Sequence, residues 1–182
     1  MNIDGKPHRT ISLAHDGRSV EIIDQTKLPH AFETVTLGTV EDAGRAILTM
    51  QVRGAPLIGA TAAYGVAIAM AADASDANLA DAIDHLARQR PTAVNLKWAL
   101  DEMRRTLKPL APGERMSAAY AKAADIVEDD VTSCRRIGVH GVGLIERIAT
   151  RKRPGERDGI LTHCNAGWLA CVDWGTATSP LY

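Results

Sequence analysis

The residues best suited to chemistry are one cysteine, two arginines and the glycine that follows the first of them. Cys164 stands within Leu161-Thr162-His163-Cys164-Asn165-Ala166-Gly167, at the end of a short apolar run. Open α/β sheets hold their ligands at the C-terminal ends of their strands, so a thiol there is a candidate for chemistry. The competing reading is a buried structural thiol, the commonest state of a free cysteine. His163 would point the opposite way from a strand, which argues against joint chelation of a metal. Arg53-Gly54-Ala55-Pro56 precedes a helical pattern. Glycine lets a ligand approach the backbone, and unpaired N–H groups just ahead of a helix attract an anion. Arg53 adds a guanidinium suited to bidentate phosphate contact. The same four residues also read as an ordinary helix start with a surface arginine. Arg90-Pro91-Thr92 repeats the arrangement, and two such starts converging would form a phosphate pocket. Spacing alone does not show convergence.

Other motifs fall away. Gly138-Val139-His140-Gly141-Val142-Gly143 has a glutamate, Glu146, where a dinucleotide loop needs its third glycine, and no strand precedes it. Tight helix packing accounts for it better. There is no Walker loop, no Gly-x-Ser-x-Gly elbow and no Cys-x-x-Cys pair. The six histidines have no short ligand spacing, so no metal site and no cofactor is expected. Cys171 reads as a small hydrophobe. Arg147, Arg151, Lys152, Arg153 and Arg157 read as a solvated linker face.

The elements that position these residues follow from local signals. Arg9–Ala14 and Ser19–Asp24 flank His15-Asp16-Gly17-Arg18, and Asp-Gly between two such runs predicts a hairpin. Residues 25–38 read as loop with room for a short strand. Thr39 caps a helix to about Met50, with Glu41 and Asp42 in its first turn. A second helix runs from Pro56 to about Ala72, with proline favoured at its first position. Ser75 caps a third to about Gln89, and a fourth runs from about Ala93 to Lys108. Glu114–Thr150 is one long helix or a broken pair, with Gly138, Gly141 and Gly143 marking the break. Arg151–Asp158 reads as a boundary, and Gly159–Thr162 as a buried parallel strand. The reading is thus α/β: residues 1–150 form a hairpin and helical domain, and 151–182 hold a linker and the first strand and turn of a second. A lone strand leaves both edges open, so a complementary C-terminal segment or chain is expected.

Composition sets the outer limits. The 182 residues carry 21 Lys+Arg against 22 Asp+Glu, which removes any support for nucleic-acid or membrane-surface binding. Only 4% are aromatic, so aliphatic residues must fill the core. Three cysteines are no secreted disulfide framework, and Met1–Arg9 lacks the apolar core of a signal peptide. Ala55–Ala72 is about long enough to span a bilayer, but its Ala and Gly content reads as a buried helix. A cytoplasmic protein is expected.

Three stretches carry a resemblance: Val52–Gly59, Arg90–Leu96 and Leu161–Gly167, with Val20–Thr26 fitting as well. They closely resemble the family that holds the methylthioribose-1-phosphate isomerases of methionine salvage and the regulatory subunits of translation initiation factor 2B. The resemblance covers essentially all 182 residues. It implies a helical N-terminal domain joined to a Rossmann-like domain, with the site between them and a homodimeric assembly. It implies conversion of 5-methylthioribose 1-phosphate, a phosphorylated small molecule, to its ketose. By motif, Arg53, Gly54, Ala55 and Arg90 bind substrate and Cys164 is the active-site cysteine. The family's acid/base aspartate has no counterpart among these residues, so the 182 residues alone are expected to be inactive. Alternatives are a related sugar-1-phosphate isomerase acting on ribose 1,5-bisphosphate and a non-catalytic regulatory subunit.

Overall fold

The computed structural model describes residues 1–153 and 155–182; Pro154, part of the expected boundary, lies outside the described residues. The chain opens with two small antiparallel sheets. β1 (Asn2–Ile3) pairs with β2 (Lys6–Pro7) across Asp4-Gly5, both of which hold positive φ. That is the two-residue turn for which Asp-Gly is suited, and it occurs here rather than at Asp16-Gly17. β3 (Ile11–Leu13), β4 (Val20–Ile23) and β5 (Thr34–Leu37) form the second sheet in the order β3-β4-β5. The expected hairpin is β3–β4, but its loop is longer than a two-residue turn and only Gly17 has positive φ. The Asp16 carboxylate closes that loop instead, accepting from the Arg18 and Ser19 N–H groups at 2.8 Å and from the Ser19 hydroxyl.

Five helices follow: α1 (Val40–Leu48), α2 (Ala55–Ala72), α3 (Asp76–Ala87), α4 (Val94–Leu107) and α5 (Pro112–Ala149). The centre is α2, buried without a break from Leu57 to Met70 and packed against all four other helices. A helix apolar on every side belongs inside, which agrees with the buried-helix expectation. Its small residues permit the crowding. A Cβ on Gly65 would lie 2.9 Å from the Ala43 Cβ of α1 and 3.1 Å from Leu86 of α3. Ile11, Val20, Ile22 and Leu37 bring the second sheet into the same core. Arg115 of α5 is buried but satisfied: it donates to the Leu107, Leu110 and Ala74 carbonyls and pairs with Asp76. One guanidinium thereby ties the end of α4 and the start of α3 to α5.

One reading is decided between its alternatives and one expectation is corrected. First, α5 is the single long helix and not the broken pair, running through Gly138, Gly141 and Gly143. The first two of these glycines serve close approach, because a Cβ on Gly138 would meet the Ser179 Oγ at 2.7 Å and one on Gly141 would overlap Pro180. The C-terminal segment packs where those side chains are missing. Second, Gly159–Thr162 is not a strand: it is irregular and exposed, with Leu161 99% accessible. Among the described residues no strand lies beside it to supply a ladder, and without one an apolar run gains neither hydrogen bonds nor burial.

Candidate functional site

Gly54 is the N-cap of α2, at φ 98° and ψ 138°, with no side-chain cap and no acidic residue in the first turn. The leading N–H groups of a helix have no partner within it, and Pro56 contributes none. α2 therefore presents its positive end uncapped, with the exposed Arg53 immediately before it. Ala55 is exposed at the same point. α4 begins in the same manner: its N-cap is Ala93, with neither a capping side chain nor an acid in the first turn, and Arg90 lies just upstream. The two starts belong to neighbouring parts of the core. The Asn95 carbonyl, in the first turn of α4, would lie 3.1 Å from a Cβ on Gly59, four residues into α2.

The segment after Cys164 packs on the start of α2. Cys164 is exposed at φ 66°, a left-handed conformation uncommon for any residue but glycine. Gly167, at φ 149°, then leads into a short 3-10 turn, Trp168–Ala170. That turn lies directly on Gly54, where any Cβ would fall inside contact with the Ala170 backbone. Gln25 also holds the turn, donating from Nε2 to the Leu169 carbonyl at 2.6 Å. Its neighbour Asp24 accepts from the Thr26 N–H and hydroxyl and from Gln51 Nε2. Burial raises the Asp24 pKa, but these hydrogen bonds outweigh it and the net shift is downward.

The structure thus brings Gly54 together with the segment that follows Cys164. Among the described residues no hydrogen bond or ion pair joins the side chains of Cys164, Arg53 and Arg90. Arg90 lines a surface groove of about 300 Å³ with Ala93, Leu96, Lys97 and Arg104, and neither Arg53 nor Cys164 takes part in it. Among the described residues neither guanidinium makes a hydrogen bond through its side chain, and both remain available to an anion. Gln25 was missed by motif reasoning: it lies within Val20–Thr26, but nothing in its spacing marks it as the residue that holds the turn.

A second group of side chains was also missed. Asp130 and Cys134 of α5 and Cys171 hold their carboxylate and thiol atoms within 4.8 Å of one another. Cys171 is buried, as a small hydrophobe would be, but it faces another thiol. The four-residue spacing of Asp130 and Cys134 is visible in the sequence; the arrival of Cys171 is not.

Residues 51–177 match the Initiation factor 2 subunit family. Over all 182 residues the chain is 57% identical to a protein of Methylocella silvestris and 58% identical to one of Brucella anthropi, both named methylthioribose-1-phosphate isomerase. It spans about half the length of these curated relatives. Two solved structures share its fold over 96% of the chain. One is 5-methylthioribose 1-phosphate isomerase from Pyrococcus horikoshii OT3, with TM-score 0.80, 34% identity and 48% of that chain covered. The other is the translation initiation factor eIF-2B, subunit delta, from A. fulgidus, with TM-score 0.79, 36% identity and 50% covered.

Proposed function

The chain belongs to the Initiation factor 2 subunit family, and from that premise we propose that the protein isomerises 5-methylthioribose 1-phosphate to 5-methylthioribulose 1-phosphate. The fold does not choose between enzyme and translation factor, since the two solved relatives match almost equally well. The observation that carries the choice is identity: 57–58% over the whole chain to proteins named as isomerases, against 36% to the initiation-factor subunit.

The geometry fits a phosphorylated substrate. The uncapped start of α2 offers N–H donors and a positive helix end, while Arg53 supplies a formal charge beside it. Gly54 and Ala55 give the anion an approach to the backbone. Arg90 and the open start of α4 add a second cationic position nearby. In this reading Cys164 acts on the sugar carbons. An aldose-to-ketose conversion opens the ring and moves hydrogen between C1 and C2, which requires a proton donor and acceptor. Cys164 serves that transfer or stabilises its transition state. Its partner group belongs to the part of the family's length that this chain does not span. No cofactor is invoked for the reaction, and a cytoplasmic homodimer is expected, checked by light scattering.

The test follows the ketose by NMR after the substrate is added to the full-length protein. Turnover that is lost in Cys164→Ser while affinity is kept supports the assignment, because a transition-state role lowers kcat rather than binding. Unchanged turnover in Cys164→Ser overturns it. Preference for ribose 1,5-bisphosphate would move the assignment to that substrate, since a second phosphate needs cations where a methylthio group needs an apolar pocket. Absence of turnover together with partner binding that survives Cys164→Ser would favour the regulatory role suggested by the likeness to the eIF-2B subunit.

A further inference from the structure

The proposed reaction makes no use of the group formed by Asp130, Cys134 and Cys171. Asp130 and Cys134 are four residues apart on α5 and so project from one face. Cys171 meets them from the segment just after the turn on Gly54. Both thiols are buried, at 2% and 0% exposure, and all three donor atoms lie within 4.8 Å of one another. The surrounding backbone is held on each side. The Thr10 hydroxyl donates to the Cys171 carbonyl at 2.5 Å, and the Ser179 hydroxyl donates to the Cys134 carbonyl at 2.6 Å. The Val172 N–H donates to Asp130 Oδ2 at 2.8 Å, which leaves Oδ1 turned toward Cys134 Sγ at 3.7 Å.

We propose that Cys134, Cys171 and Asp130 form a structural site for a thiophilic divalent cation of the zinc and cadmium class. A tetrahedral zinc ion with Zn–S about 2.3 Å sets its donors about 3.5–3.8 Å apart, so these atoms need to close by at most about 1.3 Å. Two thiolates with one carboxylate favour such an ion over magnesium or calcium, which take oxygen donors. Binding breaks the two S–H bonds, forms two metal–sulfur bonds and one metal–oxygen bond, and releases two protons to solvent. No electron is transferred, and water fills the fourth position. The Val172 N–H orients the carboxylate as an outer hydrogen bond does in known sites. The cation clamps α5 to residues 170–172, and through them to the turn on Gly54. The inference is independent of the isomerase assignment, because none of the three residues is placed at the substrate.

The experiment titrates the reduced, oxygen-free protein with Cd²⁺, following the sulfur-to-cadmium charge-transfer band and counting bound metal by dialysis. One Cd²⁺ per chain is expected. Asp130→Asn should weaken its binding on the order of tenfold or more, and the Cys134→Ala/Cys171→Ala pair should abolish it. Cys164→Ala should leave it intact. If the double variant does not fold, X-ray absorption of the cadmium-loaded native protein decides the matter, with two sulfur neighbours expected from this site. No band in the native protein, binding that survives the double variant, or loss in Cys164→Ala would each overturn the proposal. Formation of a Cys134–Cys171 disulfide in air, without cadmium binding after reduction, would also overturn it.

Discussion

The starts of α1 and α3 carry their own caps, whereas those of α2 and α4 carry none. Thr39 accepts from the Asp42 N–H and the Asp42 carboxylate reaches back to the Thr39 N–H, with Glu41 also in the first turn of α1. Ser75 accepts from the Asn78 N–H, and Asp76 opens α3. In both, a side chain satisfies a free donor and a carboxylate faces the positive helix end. α2 and α4 instead follow Gly54 and Ala93, with no acid in the first turn and an arginine upstream. The first pair of helix ends is electrostatically complete within the chain. The second pair has no such closure within the chain, and the first turn of α4 packs against α2 at Gly59.

Four experiments would break or sharpen that comparison. The largest effect is expected from Gly54→Ala. A positive-φ alanine whose Cβ also overlaps the Ala170 backbone should cost about 2–4 kcal/mol of stability, read as a lower urea midpoint. An unchanged midpoint would mean that the turn does not rest on Gly54. Next is Arg53→Ala, which should weaken sugar-phosphate binding by about 1.5–3 kcal/mol, tenfold to over a hundredfold, at unchanged stability. Equal affinity would remove Arg53 from the anion site. Thr39→Ala and Ser75→Ala should behave in the opposite way, each losing about 1 kcal/mol of stability with substrate affinity intact. A loss of affinity there would erase the division between closed and open helix starts.

The smallest effect concerns acid. Asp24 has a folded-state pKa below its ordinary value because hydrogen bonds to its charged form outweigh burial. The unfolded chain therefore binds the proton more readily. The contribution of Asp24 is complete above the ordinary carboxylate pKa, about 4, and is lost as the pH falls through the lower folded value. Asp24→Asn should flatten the stability profile in that acid window. An identical acid limb in wild type and variant would show that the Thr26 and Gln51 hydrogen bonds do not favour the ionised form.

Much of the local structure was legible from neighbouring residues alone. Thr39, Ser75 and Pro56 mark helix starts through interactions spanning four residues or fewer, and all three helices begin within a residue of those marks. Arg53, Gly54, Ala55, Arg90 and Cys164 were picked out by motif, and the proposed anion site rests on an arginine placed ahead of each of two helix starts. Tertiary structure decided the rest. The glycines of α5 read as a break until Ser179 and Pro180 are seen packed on them. Gly159–Thr162 reads as a strand by its apolar run, but a strand exists only where a neighbour pairs with it. Cys171 reads as a hydrophobe until the fold sets it against Asp130 and Cys134, some 40 residues earlier. Capping and periodicity are properties of a few consecutive residues and are therefore written in the chain. Contacts between distant segments leave no fixed spacing, because they depend on how the whole core closes around α2.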